Sequence, residues 1–252
     1  MRKLDYDQII SEIQQWIHDY CKSANADGIV VGISGGIDSA VTSTLCTNAI
    51  GKDAVIGLGL PCLSNPQDLN DTKLLAAKLG IEFRIFDLSS VYEEIINVIS
   101  KFIEPNKLAT ANLKARLRMV TLYFTAQSKG NYLIGGTGNR TELAIGYFTK
   151  YGDGGVDIEP LGGLYKREIR EIARKLNIPE KIINKPPSAG LWEGQTDEGE
   201  IGMKYDLLDE IIYRLDFNLD LKDLNRSDIE RVKEMMRLSD HKLKMPPIYK
   251  IR

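Results

Sequence analysis

Six residues near the N-terminus, Ser34-Gly35-Gly36-Ile37-Asp38-Ser39, combine the types needed to hold a polyphosphate. Two adjacent glycines let the backbone approach an anion without a Cβ clash, and the serines add hydroxyl donors. A carboxylate beside phosphates is repulsive unless a cation lies between them, so Asp38 points to Mg2+ bridging to a polyphosphate. The G-x-x-x-x-G-K-[ST] spacing is absent, no lysine follows the glycines, and G-x-G-x-x-G does not occur in this stretch. A second carboxylate, Glu142, stands just past the turn Gly135-Gly136-Thr137-Gly138. Two acids from separate turns suit magnesium, which takes a few carboxylates together with substrate phosphates and water. Taken singly, Gly35-Gly36 also reads as a turn before a capped helix, and Glu142 as a first-turn acid favoured by the helix dipole.

The elements that must position these groups follow from periodicity. Gly28-Ile-Val-Val-Gly-Ile33 reads as a buried parallel strand and Ala40 to Cys46 as the start of a helix. A strand, a glycine turn and a helix N-terminus place backbone N–H groups around one concavity. Further strands are expected at 54–60, 82–86 and 132–134. Helices are expected from the spacing of Tyr6, Ile9, Ile10, Ile13, Trp16, Ile17 and Tyr20, and over 72–79, 91–102, 108–128 and 165–177. His18 falls on the polar side of the first helix and reads as a solvated residue. Ser227-Asp-Ile-Glu230 reads as a capping box opening a last helix to Leu238. The stretch Lys185–Gly202, rich in Gly, Pro and acids, reads as a long irregular loop, of the kind used as a lid. Alternating strands and helices predict an α/β fold: an open, mostly parallel sheet with helices on both faces, ligands lying beyond the carboxyl ends of its strands.

Composition narrows the function. With 252 residues the chain can form one α/β domain over 1–252. A net charge of −2 gives no support for a polyanion-binding surface, so no long nucleic acid is expected as partner. Cys21, Cys46 and Cys62 form no C-x-x-C pair and read as packed thiols of a reducing compartment. No apolar run reaches membrane-spanning length and the N-terminus lacks an apolar signal core, so no membrane association and a cytoplasmic location are expected.

The Ser-Gly-Gly-x-Asp-Ser loop resembles the pyrophosphate loop of the N-type ATP pyrophosphatases, a feature shared by GMP synthetase, asparagine synthetase and tRNA-thiolating enzymes. Phe148-Thr-Lys-Tyr-Gly-Asp-Gly-Gly155 is more restrictive. Together with Asn112-Leu-Lys-Ala-Arg-Leu-Arg-Met119, Lys185-Pro-Pro-Ser-Ala-Gly-Leu191 and His241-Lys242, it resembles the ammonia-dependent NAD synthetases over nearly the whole chain. The resemblance implies an adenine nucleotide alpha hydrolase-like, Rossmann-like fold. It implies that Gly32, Ile33, Ser34, Gly35, Gly36, Ile37, Asp38 and Ser39 wrap the ATP phosphates, with Thr137, Lys166 and Ser188 also on ATP. Asp38 and Glu142 would hold Mg2+. Arg116, Lys150, Asp157, His241 and Lys242 would contact deamido-NAD. Asp153 and Lys166 would act in catalysis, and the protein would be a homodimer. The family often has threonine where Ser188 stands. Its commoner Asp-His-(Ala/Asn) is here Gly138-Asn139-Arg140, which leaves those three positions without an assigned role.

The chemistry so implied is ATP-dependent amidation of deamido-NAD with ammonia. Attack of the nicotinate carboxylate on the α-phosphorus gives an acyl adenylate and releases pyrophosphate; ammonia then displaces AMP. Mg2+ and Lys166 would neutralise charge on the phosphates, and Asp153 would collect ammonium and accept its proton. Asp153 equally reads as an aspartate satisfying a tight glycine turn. Glutamine use would require an activated cysteine, and none of the three lies in a nucleophile motif, so free ammonia is the expected donor. Two other classes are weighed against this. A thiolating enzyme would want paired cysteines and a basic face; a non-catalytic nucleotide sensor would not need the second carboxylate or the cations Lys150 and Lys166.

Overall fold

The computed structural model describes residues 2–188, 190, 192 and 194–251. Four strands, β1 (Gly28–Gly32), β2 (Val55–Gly59), β3 (Glu82–Ile85) and β4 (Tyr132–Gly135), form one sheet in the order β3-β2-β1-β4, every neighbouring pair parallel. The helices are α1 (Tyr6–Ser23), α2 (Ile37–Ile50), α3 (Pro66–Leu79), α4 (Ser89–Ile99), α5 (Lys107–Lys129), α6 (Arg140–Ile145), α7 (Lys166–Lys175), α8 (Glu180–Ile183), α9 (Asp197–Ile201), α10 (Tyr205–Asp216) and α11 (Arg226–Ser239). The chain winds from β1 to β3 in one direction, then places β4 on the other side of β1. The switch in direction therefore falls between the carboxyl ends of β1 and β4, where open α/β sheets bind ligands.

Burial on both faces explains why the central strands are apolar without alternation. Ile29, Val31 and Ile33 face a core shared with Ile17, Val41, Leu45, Ile169 and Ile172 from α1, α2 and α7. Val30, Ile56, Leu58 and Ile134 face the opposite side, against Leu88 and Ala126. Leu45 is fully buried, so Leu45→Ala would leave a cavity and cost about 2–5 kcal/mol. Helix α2 lies inside the protein although it carries Ser43 and Thr44. Their hydroxyls donate to Ser39 O and Ala40 O, both at 2.7 Å, so burial strands no polar atom.

A third apolar cluster holds the site's outer wall. Ile145 of α6, Tyr205, Leu208, Ile211 and Ile212 of α10 and Val232 of α11 pack together with Tyr165 just ahead of α7. The edge of β4 is covered by the segment at 157–158: Ile158 bridges Gly135 in parallel, and Gly136 N–H donates to Ile158 O at 2.7 Å.

Two sequence expectations are corrected. The last helix is capped by Asn225, whose Oδ1 accepts Ser227 N–H at 2.8 Å, so Ser227 lies inside the helix and its capping box does not form. An earlier side-chain acceptor at the right φ won the N-terminus. The Lys185–Gly202 segment is not irregular throughout: Thr196 caps α9 by accepting Gly199 N–H at 3.2 Å, and Gly202 ends it in the left-handed conformation. Ala189, Leu191 and Glu193 of that segment lie outside the described residues.

Candidate active site

The glycine turn forms the floor. Gly35 has φ +78°, and a Cβ there would stand 2.6 Å from Asp68 O of α3, so only glycine fits. Both serines close the turn on itself: Ser39 Oγ accepts Ser34 N–H at 3.1 Å and donates to Gly36 O at 3.0 Å, while Ser34 Oγ accepts Gly36 N–H at 3.3 Å. Gly36 caps α2 without a side-chain acceptor, which leaves first-turn N–H groups of this 14-residue helix open to an anion. Gly32 ends β1; Ile33 and Ile37 are buried and anchor the turn, whereas Ser34 is exposed.

Three charged groups meet above this floor. Lys166 Nζ lies 2.6 Å from Asp38 Oδ2 and 3.0 Å from Glu142 Oε1. Asn139 donates from Nδ2 to Asp38 Oδ1 at 3.1 Å and accepts Glu142 N–H at 3.0 Å, joining the α2 and α6 carboxylates through one buried amide. The Asn139–Glu142 spacing is also a capping box, so Glu142 fills both of its readings at once: it tops a short helix and faces the cation. Burial, together with the nearby Asp38 charge, outweighs the pull of Lys166 and pushes the Glu142 carboxyl up to about 7. Burial pulls the Lys166 ammonium down, but Asp38 and Glu142 win and hold it above the ordinary lysine value. Lys166 is the first residue of α7, whose start is fixed from beneath. Asp209, fully buried on α10, accepts Thr141 Oγ1–H at 2.5 Å and Arg167 N–H at 2.8 Å.

A narrow cavity of about 40 Å3 opens beside this triad, lined by Thr137, Gly138, Glu142, Phe148, Asp153 and Glu159 among others. Asp153 Oδ1 accepts Thr149 N–H at 2.9 Å, so its turn-satisfying reading is present in the structure while the residue stays exposed at the cavity wall. Glu159 Oε2 accepts Gly138 N–H at 3.0 Å, and burial pushes its carboxyl up to about 8. Thr137 and Lys166 are thus brought to one rim with Asp38 and Glu142. Ser188 is exposed, its Oγ accepting Gly190 N–H at 3.2 Å, in a segment whose Lys185 Nζ donates to Gly35 O at 3.4 Å and whose Pro187 O accepts Asp197 N–H at 3.0 Å.

Residues assigned by resemblance to the dinucleotide fall into two places. Arg116 Nη2 donates to Lys150 O at 3.4 Å, Lys150 Nζ donates to His241 O at 2.5 Å, and Lys242 Nζ donates to Gly146 O and Phe148 O at 2.7 and 2.8 Å. These four gather around the 146–150 stretch. Asp157 stands apart at the β4 edge, accepting Tyr123 O–H at 2.9 Å and Ile134 N–H at 2.7 Å.

Several residues of the site were not read from the sequence. Tyr205 O–H reaches Asp197 Oδ2 at 3.1 Å and Glu142 Oε1 at 3.3 Å, and so links α9 and α10 to the charged triad. Tyr147 O–H donates toward Asp197 Oδ1 and Glu200 Oε2 at 3.2 and 2.8 Å. The spacing of Leu207, Leu208, Ile211, Ile212 and Leu215 is the signal that identifies α10 and brings Tyr205 and Asp209 inward. The Asn-x-x-Glu spacing is the signal for Asn139.

A parallel sheet whose switch point carries a glycine turn, paired carboxylates and a buried lysine defines a nucleotide-dependent α/β enzyme class. The NAD synthase family model matches residues 9–246, and the chain belongs to that family. It is 44% identical over 248 residues to an NH3-dependent NAD(+) synthetase of Carboxydothermus hydrogenoformans, covering 98% of each chain. It is similar to the solved NH3-dependent NAD synthetase of Campylobacter jejuni, with TM-score 0.85 and 33% identity, covering 98% of this chain and all of that one. An NMN synthetase from Francisella tularensis superposes with TM-score 0.90 at 34% identity, covering 99% of this chain and 100% of the other.

Proposed function

We propose that the protein amidates deamido-NAD with ammonia at the expense of ATP, giving NAD, AMP and pyrophosphate. The observation that carries this reading is the convergence of Asp38, Glu142 and Lys166 on the α2 phosphate floor, in a chain of synthetase length and family. The N–H groups of the 34–39 turn receive the triphosphate. Lys166, already positively charged and desolvated, faces the charge that builds as pyrophosphate departs, where a preorganised cation lowers the barrier. The nicotinate carboxylate attacks the α-phosphorus, and ammonia then attacks the acyl carbon with AMP leaving. Asp153, at the cavity wall, would hold ammonium and take its proton.

Asp38 and Glu142 fit a magnesium ion. An oxygen of each already lies within 3.0 Å of one ammonium, so the pair is disposed around a cation, and the remaining ligands of a hard ion would be phosphate and water. When bound, Mg2+ would supply charge neutralisation of the phosphates. The three thiols support free ammonia as donor. All are buried and burial raises each pKa, the opposite of an activated glutaminase cysteine.

The chain is read as one synthetase domain over 1–252 that works as a homodimer. Val120 and Phe124 are exposed apolar residues one turn apart on α5, in line with exposed Arg116, and Phe102, Ile103 and Leu108 are exposed around the start of that helix; such residues fit a second copy. No helix among the described residues is long and apolar enough to cross a membrane. A cytoplasmic location is part of this reading.

The test is incubation with ATP, Mg2+, ammonium and deamido-NAD, following NAD and AMP by chromatography. Equal amounts of both are expected, and glutamine in place of ammonium should give little. The Francisella likeness favours one alternative substrate, nicotinate mononucleotide. Running that acid in parallel decides between the two, and turnover of neither would overturn the proposal.

A further inference from the structure

Arg118 lies one helical turn from Lys114 on α5, in the crevice above the carboxyl end of β2. Its Nε donates to Leu60 O at 3.1 Å and its Nη2 donates to Ser64 Oγ at 3.3 Å, and both partners are neutral. Among the described residues, no carboxylate lies within ion-pair distance of it. Drawing a guanidinium partly out of water without an anion is unfavourable, and burial here pulls the Arg118 pKa down. The seat is nonetheless built. Ser64 Oγ also accepts Cys62 N–H at 3.1 Å, and Leu63, at φ +53°, adopts a strained conformation that presents the serine to the arginine.

The surroundings indicate which anion this seat suits. Asp153 and Asp68 are the acids that act on Arg118 from a distance. Asp153 belongs to the glycine turn that packs on α5, where a Cβ at Gly152 would stand 3.0 Å from Ala115 Cβ. The triphosphate has its own donors in the 34–39 turn and Lys166. A guanidinium on α5 and a carboxylate in the turn packed against that helix complement, in order, a carboxylate and an ammonium. Those are the two groups that amidation joins.

We infer that Arg118 recognises the carboxylate of the nicotinate ring and so selects the acid over its amide. This rests on the amidation reading. A planar fork matches a carboxylate in two parallel hydrogen bonds. Conversion to the acyl adenylate removes the charge that the fork holds, and the amide product cannot restore it. The product is therefore bound more weakly than the substrate.

The experiment compares dissociation constants of deamido-NAD and NAD by calorimetry, for the wild type, Arg118→Gln and Arg118→Lys. The wild type should bind the acid at least about tenfold more tightly than the amide, the scale of one charged hydrogen-bond pair. In Arg118→Gln that ratio should fall toward one with NAD affinity little changed, and Arg118→Lys should recover part of it. A purely structural role would weaken both ligands together. Such a parallel loss, an unmoved ratio, or a wild type that does not distinguish acid from amide would each overturn the assignment. Should Arg118→Gln not fold, the Arg118→Lys ratio gives the reading alone. Wild-type NAD formation, measured separately, reports on the amidation reading itself.

Discussion

Lys166 Nζ and Asp38 Oδ2 stand 2.6 Å apart although 128 positions separate them in the chain, and the lysine side chain is 2% exposed. This buried pair joins α7 to the phosphate floor. Folding and catalysis therefore draw on the same charges.

Asp38→Asn should lower stability more than Glu142→Gln. Removing one member of a fully buried pair costs about 3–5 kcal/mol. Asp38 keeps some exposure and Lys166 keeps Glu142, so a loss of ~2 kcal/mol is expected. Glu142, pushed up to about 7, is already partly protonated at neutral pH, and glutamine keeps an acceptor for Tyr205 and Lys166. Both variants should lose most NAD formation. Thermal melts without ligand give the order, and a larger loss in Glu142→Gln would contradict it.

Lys166→Ala should reduce kcat by about 10²–10³, the scale of losing one preorganised donor to a developing charge. The contact is made to the phosphates as they separate, so the KM for ATP should move much less. A variant altered only in KM would show uniform binding instead.

The fold was legible where burial is two-sided. The strands at 28–33 and 54–60 and the helix at 108–128 carry uninterrupted patterns, and each is found within a few residues of its expected limits. Asp38 and Glu142 were readable as partners because both follow glycine turns after strands. The 185–202 stretch was not, since α9 has only five residues and its stability comes from tertiary ties such as Tyr147 to Asp197, which leave no periodic trace. Asp209 was hidden for a related reason. It is a fully buried acid on α10, indistinguishable by type from a solvated one until Thr141 and Arg167 are brought to it by the fold.

Tyr205→Phe tests the link between α9 and the triad. The hydroxyl serves Asp197 and Glu142, and burial with those charges raises its pKa well above the tyrosine range, so it acts as a donor throughout. Its loss should cost about 1–2 kcal/mol and raise the KM for ATP. Unchanged melting and unchanged kinetics would mean that α9 is positioned by Tyr147 alone.

Phe124→Glu should dissociate the proposed dimer. Phe124 is 72% exposed on α5, one turn from Val120 at 57%. Desolvating a glutamate there opposes pairing of two apolar faces. Sedimentation should show the wild type at twice the mass of the variant. Identical masses would remove this face as the interface.

Glu159→Gln should change how stability depends on pH. Burial raises the folded-state pKa of Glu159 from the ordinary 4.5 to about 8, helped by Glu142 and Asp153 and opposed by the Gly138 N–H bond. The folded state thus favours the protonated form. The stability this contributes is fully present below the unfolded value of 4.5 and is lost as pH rises through about 8. The amide is isosteric, can still accept Gly138 N–H, and does not ionise. The variant should therefore gain on the wild type with rising pH, by at most ~1.4 kcal/mol per unit over that window. Urea midpoints measured from pH 5 to pH 9 would check this (about the range of the shift), and a difference that stays constant with pH would show that Glu159 remains ionised in its pocket.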